Sequence, residues 1–305
     1  MAVLADVARE KLQALAKVAR KRELSISVRE TEAYVTRGDK RFISFSCNDY
    51  LGLSQHPKVK AATIAAIEKY GAGAGASRLV TGNHPLYEEL ERKLADSTGM
   101  ESALVFGSGY LTNVGVIPAL VGKDDLILAD RLVHACLIDG AQLSGAKLKR
   151  FKHNDVEDCA RLLEANHAHH RHILIITDAV FSMDGDIAPL AELSQLAAKY
   201  DTWLMADAAH SLTFPDVHVD ILMGTLSKAL GSYGGYVSGA KDVIEYLATS
   251  ARSLMFSTGL PPSVIASAIA ALDIAKKNPS LLSKPHVKAR LFTKNERHNG
   301  RFRYW

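Results

Sequence analysis

No run of this 305-residue chain approaches the ~18 consecutive apolar residues that a membrane-crossing helix requires. Cysteine is scarce too. The three residues, Cys47, Cys136 and Cys159, lie too far apart for a CxxC pair. An odd, scattered set supports neither a disulfide framework nor a zinc site, and it fits a reducing, cytoplasmic compartment. The opening segment, "MAVLADVAREKLQALAKVARKREL", lacks the apolar core of a signal peptide. Asp6, Glu10 and the absence of serine there argue against a transit peptide, and the spacing of Leu4, Val7, Leu12, Leu15 and Ala19 predicts an amphipathic helix. Net positive charge is missing from the body of the chain. The formal +4 comes from residues 284–305, where seven Lys/Arg face one acid, Glu296. The remainder is slightly acidic, which points away from nucleic acid as a partner.

What is present is globular composition, 48% hydrophobic and 23% charged, with length for a large core. "SISVRETEAYVTRGDKRFISFS" alternates about "RGDK" and predicts a hairpin. "HPKVKAATIAAIEKYG" and "PLYEELERKLADSTG" read as helices closed by glycine. Short apolar strands follow: "SALVF", "DLILAD", "KLKRF", "ILIITD", "WLMAD" and "DILMGT". Helical stretches such as "DVEDCARLLEAN" and "PLAELSQLAAKY" separate several of them. This alternation predicts an α/β domain with a mostly parallel sheet covered on both faces. Ligands of such sheets sit at the carboxyl ends of the strands. The histidine patch His167, His169, His170 and His172 has irregular spacing and no neighbouring acid, and reads as a solvated loop rather than a metal site.

The chemistry-bearing stretches follow strands. "FGSGYLTN" comes after "SALVF" and opens a helix, so its backbone N–H groups suit a phosphate. It lacks the third glycine of a dinucleotide fingerprint and the Gly-Lys-Ser/Thr ending of a Walker loop. Asp207 ends "WLMAD", with His210 three residues on; a carboxylate there caps a helix or faces a cation. In "GTLSKALGSYGG", Lys228 stands among small residues that let a ligand approach. A phosphate cradle, a strand-end aspartate, a histidine and a lysine on a glycine-rich turn together match the needs of pyridoxal 5'-phosphate. That cofactor binds a lysine through its aldehyde and takes an aspartate at its ring nitrogen.

With these residues in place the chain resembles the α-oxoamine synthases. The resemblance rests on "SCNDYLGLSQHP", "GAGASRLVTGNHPLYEELE", "FGSGYLTN", "ADRLVHACLIDG", "DAVFSMDGDIAPL", "ADAAH" and "GTLSKALGSYGG", and runs from about residue 25 to residue 293. It implies the large domain of a fold-type I pyridoxal-phosphate transferase, aspartate aminotransferase-like, acting as a homodimer. The branch implied joins L-alanine to a pimeloyl thioester, carried on CoA or on a carrier protein, with loss of CO2, in biotin biosynthesis. The glycine-using and sphingoid-base branches are the alternatives. By this resemblance Lys228 holds the cofactor's aldehyde, Asp207 pairs with the ring nitrogen, and His210 and Ser182 approach the phenolic oxygen. His134 stacks on the ring, and Ser108, Gly109, Tyr110 and Thr225 hold the phosphate. Asn48 approaches the amino-acid carboxylate, and Arg22 is the partner implied for the acyl chain's far carboxylate.

Two departures shape the expectations. Only residues 211–219 separate His210 from Asp220, where the family carries a longer glycine-rich loop. After "KARLFT" the tail "KNERHNGRFRYW" leaves the family pattern, as a truncated or frameshifted reading frame would. The expected organisation is an N-terminal segment (1–45), a cofactor-binding domain (46–262) and the start of a small C-terminal domain (263–305), most of it missing. Two consequences are expected. The helix "SVIASAIAALDIA" exposes apolar surface, and the chain binds cofactor better than it turns over, with a cofactor-binding remnant as the competing reading.

Overall fold

The computed structural model describes residues 3–30, 33–211 and 216–296, with side chains to residue 291. The chain divides into two units at Cys47/Asn48. In the first, α1 spans Leu4–Lys17, and Ala19, at φ 53°, lies beyond its end. Strands β1 (Val28–Arg29), β2 (Tyr34–Arg37) and β3 (Lys40–Ile43) form an antiparallel sheet in that order. The predicted hairpin is β2–β3. Arg37 pairs with Lys40, and Gly38, at φ 57°, takes the left-handed place in the two-residue turn.

In the second unit, helices α2 (Pro57–Tyr70) and α3 (Pro85–Thr98) precede β4 (Ser102–Phe106) and α4 (Gly109–Leu120). Next come β5 (Leu126–Asp130), α5 (Ala135–Ser144), β6 (Lys147–Phe151), α6 (Val156–Glu164), β7 (Ile173–Asp178), α7 (Leu190–Lys199) and β8 (Trp203–Asp207). The rest is β9 (Ile221–Thr225), β10 (Gly235–Gly239), α8 (Lys241–Ser250), α9 (Arg252–Met255), α10 (Pro262–Lys277) and α11 (Pro279–Glu296). The sheet runs β4-β10-β9-β8-β7-β5-β6. Only β10 is antiparallel to its neighbours; the other pairings are parallel.

Period-two alternation places the core on both faces of the sheet. From β5, Ile127 and Ala129 join α4, α5 and α8, while Leu126 and Leu128 join α6 and α7. Helix termini carry the signals read in the sequence. His56 caps α2 ahead of Pro57, and Gly71, at φ 86°, ends it.

The structure corrects one expectation. The apolar stripe of α10 is covered: Ile265, Ala268 and Ile269 pack with Tyr87, Leu90 and Leu94 of α3, and Ala271 with Leu53 and Val59. No apolar side chain between residues 263 and 275 is exposed. Helices α10 and α11 group with the second unit. Arg297, Arg301 and Arg303 of the basic tail, and residues 212–215 of the short loop, lie outside the described residues.

Candidate active site

Three parallel strands end in buried aspartates: Asp130 on β5, Asp178 on β7 and Asp207 on β8. Asp130 is engaged structurally. It accepts from the backbone N–H groups of Leu132 and Asn154 and lies 3.0 Å from His153 Nδ1. Asp178 and Asp207 instead line a cleft of about 220 Å³, together with Ser108, Gly109, Tyr110, His134, Cys136, His210, Thr225 and Lys228.

One end of the cleft is the start of α4. Ser108 caps the helix, its hydroxyl accepting from Leu111 N–H at 3.1 Å. The N–H groups of a first turn have no intrahelical partner and attract anions. Strand β10 passes close behind. A Cβ on Gly235 would fall 2.4 Å from Thr112 Oγ1 and 2.6 Å from Gly109 N, so only glycine fits. Thr225, at the end of β9, donates from Oγ1 to the Gly234 carbonyl at 2.9 Å. Lys228 sits on the loop that follows. Gly231, at φ +61°, presses that loop against residues 49–54; a Cβ there would fall 2.4 Å from Ser54 N.

The other end is titratable. Lys228 Nζ lies 2.6 Å from His210 Nε2, and His210 Nδ1 lies 2.7 Å from the Tyr50 hydroxyl. Burial pulls Lys228 below the ordinary lysine value, with Asp207 and Asp178 opposing. Burial, then Lys228 and His134, lowers His210 to about 4, so its ring is neutral at pH 7. Asp178 is pushed up to about 8, first by burial and then by Asp207. Asp207 is also raised by burial, against hydrogen bonds donated by Ala209 N–H at 2.9 Å and Asn113 Nδ2 at 2.8 Å. Among the described residues no cation forms an ion pair with Asp207, and a buried carboxylate of this kind is costly until it meets one. Cys136 is held as a thiol, its pKa pushed up to about 12 by burial and then by Asp207. His134 caps α5, and its Nδ1 lies 2.8 Å from Cys136 Sγ.

The structure thus brings together Ser108, Gly109, Tyr110, His134, Asp207, His210, Thr225 and Lys228. Asn48 stands one step away; its Oδ1 lies 3.2 Å from the Tyr50 hydroxyl. Ser182 is exposed on the turn after Phe181 and does not line the cleft. Arg22 is an exposed residue of the first unit's extended segment. Sequence reasoning missed Asp178, Asn113, Cys136 and Tyr50. Asp178 carried a signal, since it ends "ILIITD" as Asp207 ends "WLMAD". The reading of "NDYLGL" took Asn48 and passed over Tyr50.

A family model for aminotransferase class I and II matches residues 40–296. An 8-amino-7-oxononanoate synthase of Beijerinckia indica subsp. indica is 52% identical over 285 residues, covering 90% of this chain and 74% of that protein. One from Granulibacter bethesdensis is 49% identical, covering 96% of this chain and 79% of that protein. Among solved structures, serine palmitoyltransferase of S. paucimobilis with a bound PLP–myriocin aldimine matches with a TM-score of 0.82 and 29% identity, covering 96% of this chain and 76% of that one. An 8-amino-7-oxononanoate synthase of Francisella tularensis matches with a TM-score of 0.65 and 28% identity, over 81% and 71% of the two chains. The chain belongs to the aminotransferase class I and II family and, within it, to the α-oxoamine synthases.

Proposed function

We propose that this chain binds pyridoxal 5'-phosphate in the Lys228 cleft and condenses L-alanine with a pimeloyl thioester, releasing CO2 and the free thiol and giving 8-amino-7-oxononanoate. The observation that carries the reading is that Lys228 and the buried Asp207, which has no ion-pair partner among the described residues, share one cleft bounded by a helix N-terminus. About half identity to synthases of that name supports the choice of reaction.

The donor set fits the cofactor. The first turn of α4, with Ser108, Gly109, Tyr110 and Thr225, offers N–H and hydroxyl groups to a phosphate, and Asp207 offers an anion to a ring N–H. When bound, the cofactor supplies an aldehyde for an amine and a protonated ring that accepts the electron pair of a carbanion. Asn113 and Ala209 hold the Asp207 carboxylate in place. Lys228, its charged form disfavoured by burial, presents a nucleophilic amine that can also serve as a base for an α-proton. His134 forms a wall of the cleft, oriented by its cap on α5. Burial and Asp207 raise Asp178 toward its neutral form, so it competes less with Asp207 for a ring N–H.

The test is the visible spectrum of the purified protein with pyridoxal phosphate, before and after L-alanine, followed by turnover with a pimeloyl thioester. A spectrum that is only the sum of the protein and free pyridoxal phosphate defeats the reading. A second reading, condensation of serine with a long-chain acyl thioester, is favoured by the backbone likeness to serine palmitoyltransferase. It predicts faster turnover with serine and a long-chain thioester than with L-alanine and the pimeloyl one. A homodimer in the cytoplasm belongs to the same proposal. Among the described residues no helix is long and apolar enough to cross a membrane, and sedimentation tests the dimer.

A further inference from the structure

We propose that His153 is a positioning residue: as an imidazolium held between Asp130 and Asp186, it clamps the hairpin that carries Val180 into the wall of the Lys228 cleft. The wall is held while the ring keeps its proton and is released when the ring loses it. The clamp matters to catalysis only if that cleft is the active site, as proposed above; the clamp itself does not depend on that reading.

The hairpin grows straight out of β7. Ala188 N–H donates to the Ala179 carbonyl at 3.1 Å, Val180 bridges Ile187, and Phe181 N–H donates to the Asp186 carbonyl at 2.9 Å. At its base Ala179 N–H donates to the Asp207 carbonyl at 2.7 Å, and Asp178 and Val180 line the cleft. Residues 182–185 are exposed, so Phe181, which is buried, and Asp186 tie the turn to the body. His153, in the loop after β6, meets both. Its ring stands at 90° to that of Phe181, with centroids 4.4 Å apart. Its Nε2 lies 2.7 Å from Asp186 Oδ2, and its Nδ1 lies 3.0 Å from Asp130 Oδ1. Asn154 braces the same pair, donating from its backbone to Asp130 at 2.8 Å and from Nδ2 to Asp186 Oδ2 at 2.7 Å.

Both nitrogens of His153 thus face carboxylate oxygens. An ionised carboxylate only accepts, and a neutral imidazole has a single N–H, so a neutral ring would turn a lone pair against one of the two. Asp130 is buried and accepts from the backbone N–H groups of Leu132 and Asn154, which favours its ionised form. Among the described residues His153 is the only base paired with Asp130 or Asp186. An imidazolium donates to both and offsets their charge. Burial opposes the charge on the ring, but Asp130 and Asp186, the charged groups that act on it, outweigh burial and hold the proton to higher pH than in an ordinary histidine. The hold is therefore full below the ordinary value and is lost as pH rises through the folded ring's own, higher value.

The experiment uses the protein without cofactor or substrate, so its outcome is independent of the proposed reaction. In ¹⁵N-histidine-labelled protein titrated upward from pH 5, two-bond ¹H–¹⁵N correlations should show the His153 ring losing its charge with a midpoint above the ordinary value of about 6.5. A midpoint at or below that value overturns the proposal without any variant. The Val180 methyl signals should shift with the same midpoint, and that step should be missing in His153→Gln. Asp178, which titrates beside Val180 at about 8, is present in both proteins, so the step that vanishes belongs to His153. Val180 signals that titrate alike in the two proteins overturn the positioning role. In Asp186→Asn the His153 midpoint should fall by about one pH unit, roughly a tenfold weaker hold on the proton. An unchanged midpoint in a folded Asp186→Asn protein also overturns the proposal. Failure of pyridoxal phosphate to bind would defeat the proposed function and leave these measurements standing.

Discussion

Replacing Asp178 with asparagine should stabilise the cofactor-free protein at neutral and alkaline pH. Asp178 is raised from its ordinary 3.8 to about 8, with burial the larger cause and Asp207 the second. An acid raised on folding gives the folded state a proton that the unfolded chain sheds as pH climbs past 3.8. Folding stability then falls with rising pH until the folded group itself ionises near 8. One proton is worth 1.36 kcal/mol per pH unit. Between pH 5 and pH 8 the native protein should therefore lose about 3–4 kcal/mol that the Asp178→Asn variant keeps. Asparagine retains the carbonyl oxygen that accepts from His134 N–H, so little is lost in exchange. Asp207 remains in both proteins; losing its neighbour's charge eases its own ionisation, so part of the gap reports the interaction between the two carboxyls. Urea unfolding at pH 5, 6.5 and 8 reads the gap: about 1.6 kcal/mol at pH 5, where the unfolded chain has already shed the proton, and about 5 kcal/mol at pH 8, with the variant more stable throughout. Parallel pH dependences in the two proteins would refute the reasoning, since Asp178 would then be ionising as a solvated carboxylate does.

Three further outcomes are expected. Lys228→Ala should abolish borohydride-trapped attachment of pyridoxal phosphate, and mass spectrometry that still finds the adduct would move the site elsewhere. Asp207→Asn should fold, yet fail to exchange the α-proton of L-alanine in deuterium oxide, because an amide cannot favour a protonated ring nitrogen; exchange at the native rate would remove that role. Gly235→Ala should cost about 1–3 kcal/mol in urea unfolding and weaken phosphate holding at α4, because its Cβ would overlap Gly109 N and Thr112 Oγ1.

Most of the sheet was legible because apolar runs bounded by polar residues mark strands buried on both faces. "SALVF", "KLKRF", "ILIITD" and "WLMAD" are β4, β6, β7 and β8 to the residue. Strand β10 was not legible. Its sequence, "GYVSG", is short, begins and ends in glycine and includes a serine, so it carries no strand signal. It is buried between β9, just before it in sequence, and β4, about 130 positions away. The cleft was legible as Lys228, Asp207, His210 and the α4 cap, whose residue types announce their chemistry. The difference between Asp130 and Asp178 was not. Both end apolar strands, and only the fold decides that one meets His153 while the other meets a cleft. Tyr50 was hidden for a related reason, because its partner, His210, stands 160 positions away. The exposed stripe expected on α10 failed because periodicity shows that a face is apolar, and cannot show that α2 and α3 already cover it.

The lone antiparallel strand also sets an order of assembly. Strands β5, β6, β7 and β8 can pair among themselves as soon as they have left the ribosome, each with a neighbour near in sequence. β4 cannot join them, because its bonds are to β10, with Phe106 opposite Gly235. During synthesis β4 and the glycine-lined start of α4 must wait, unpaired on one edge, until residues 235–239 emerge. Closing so long a loop is slow, and an apolar strand left open meanwhile is exposed to aggregation. The same event seats the Lys228 loop, which lies between β9 and β10. Phosphate end and lysine end therefore become a single cleft in one late step, and a nascent chain stopped short of β10 has no assembled place for the cofactor.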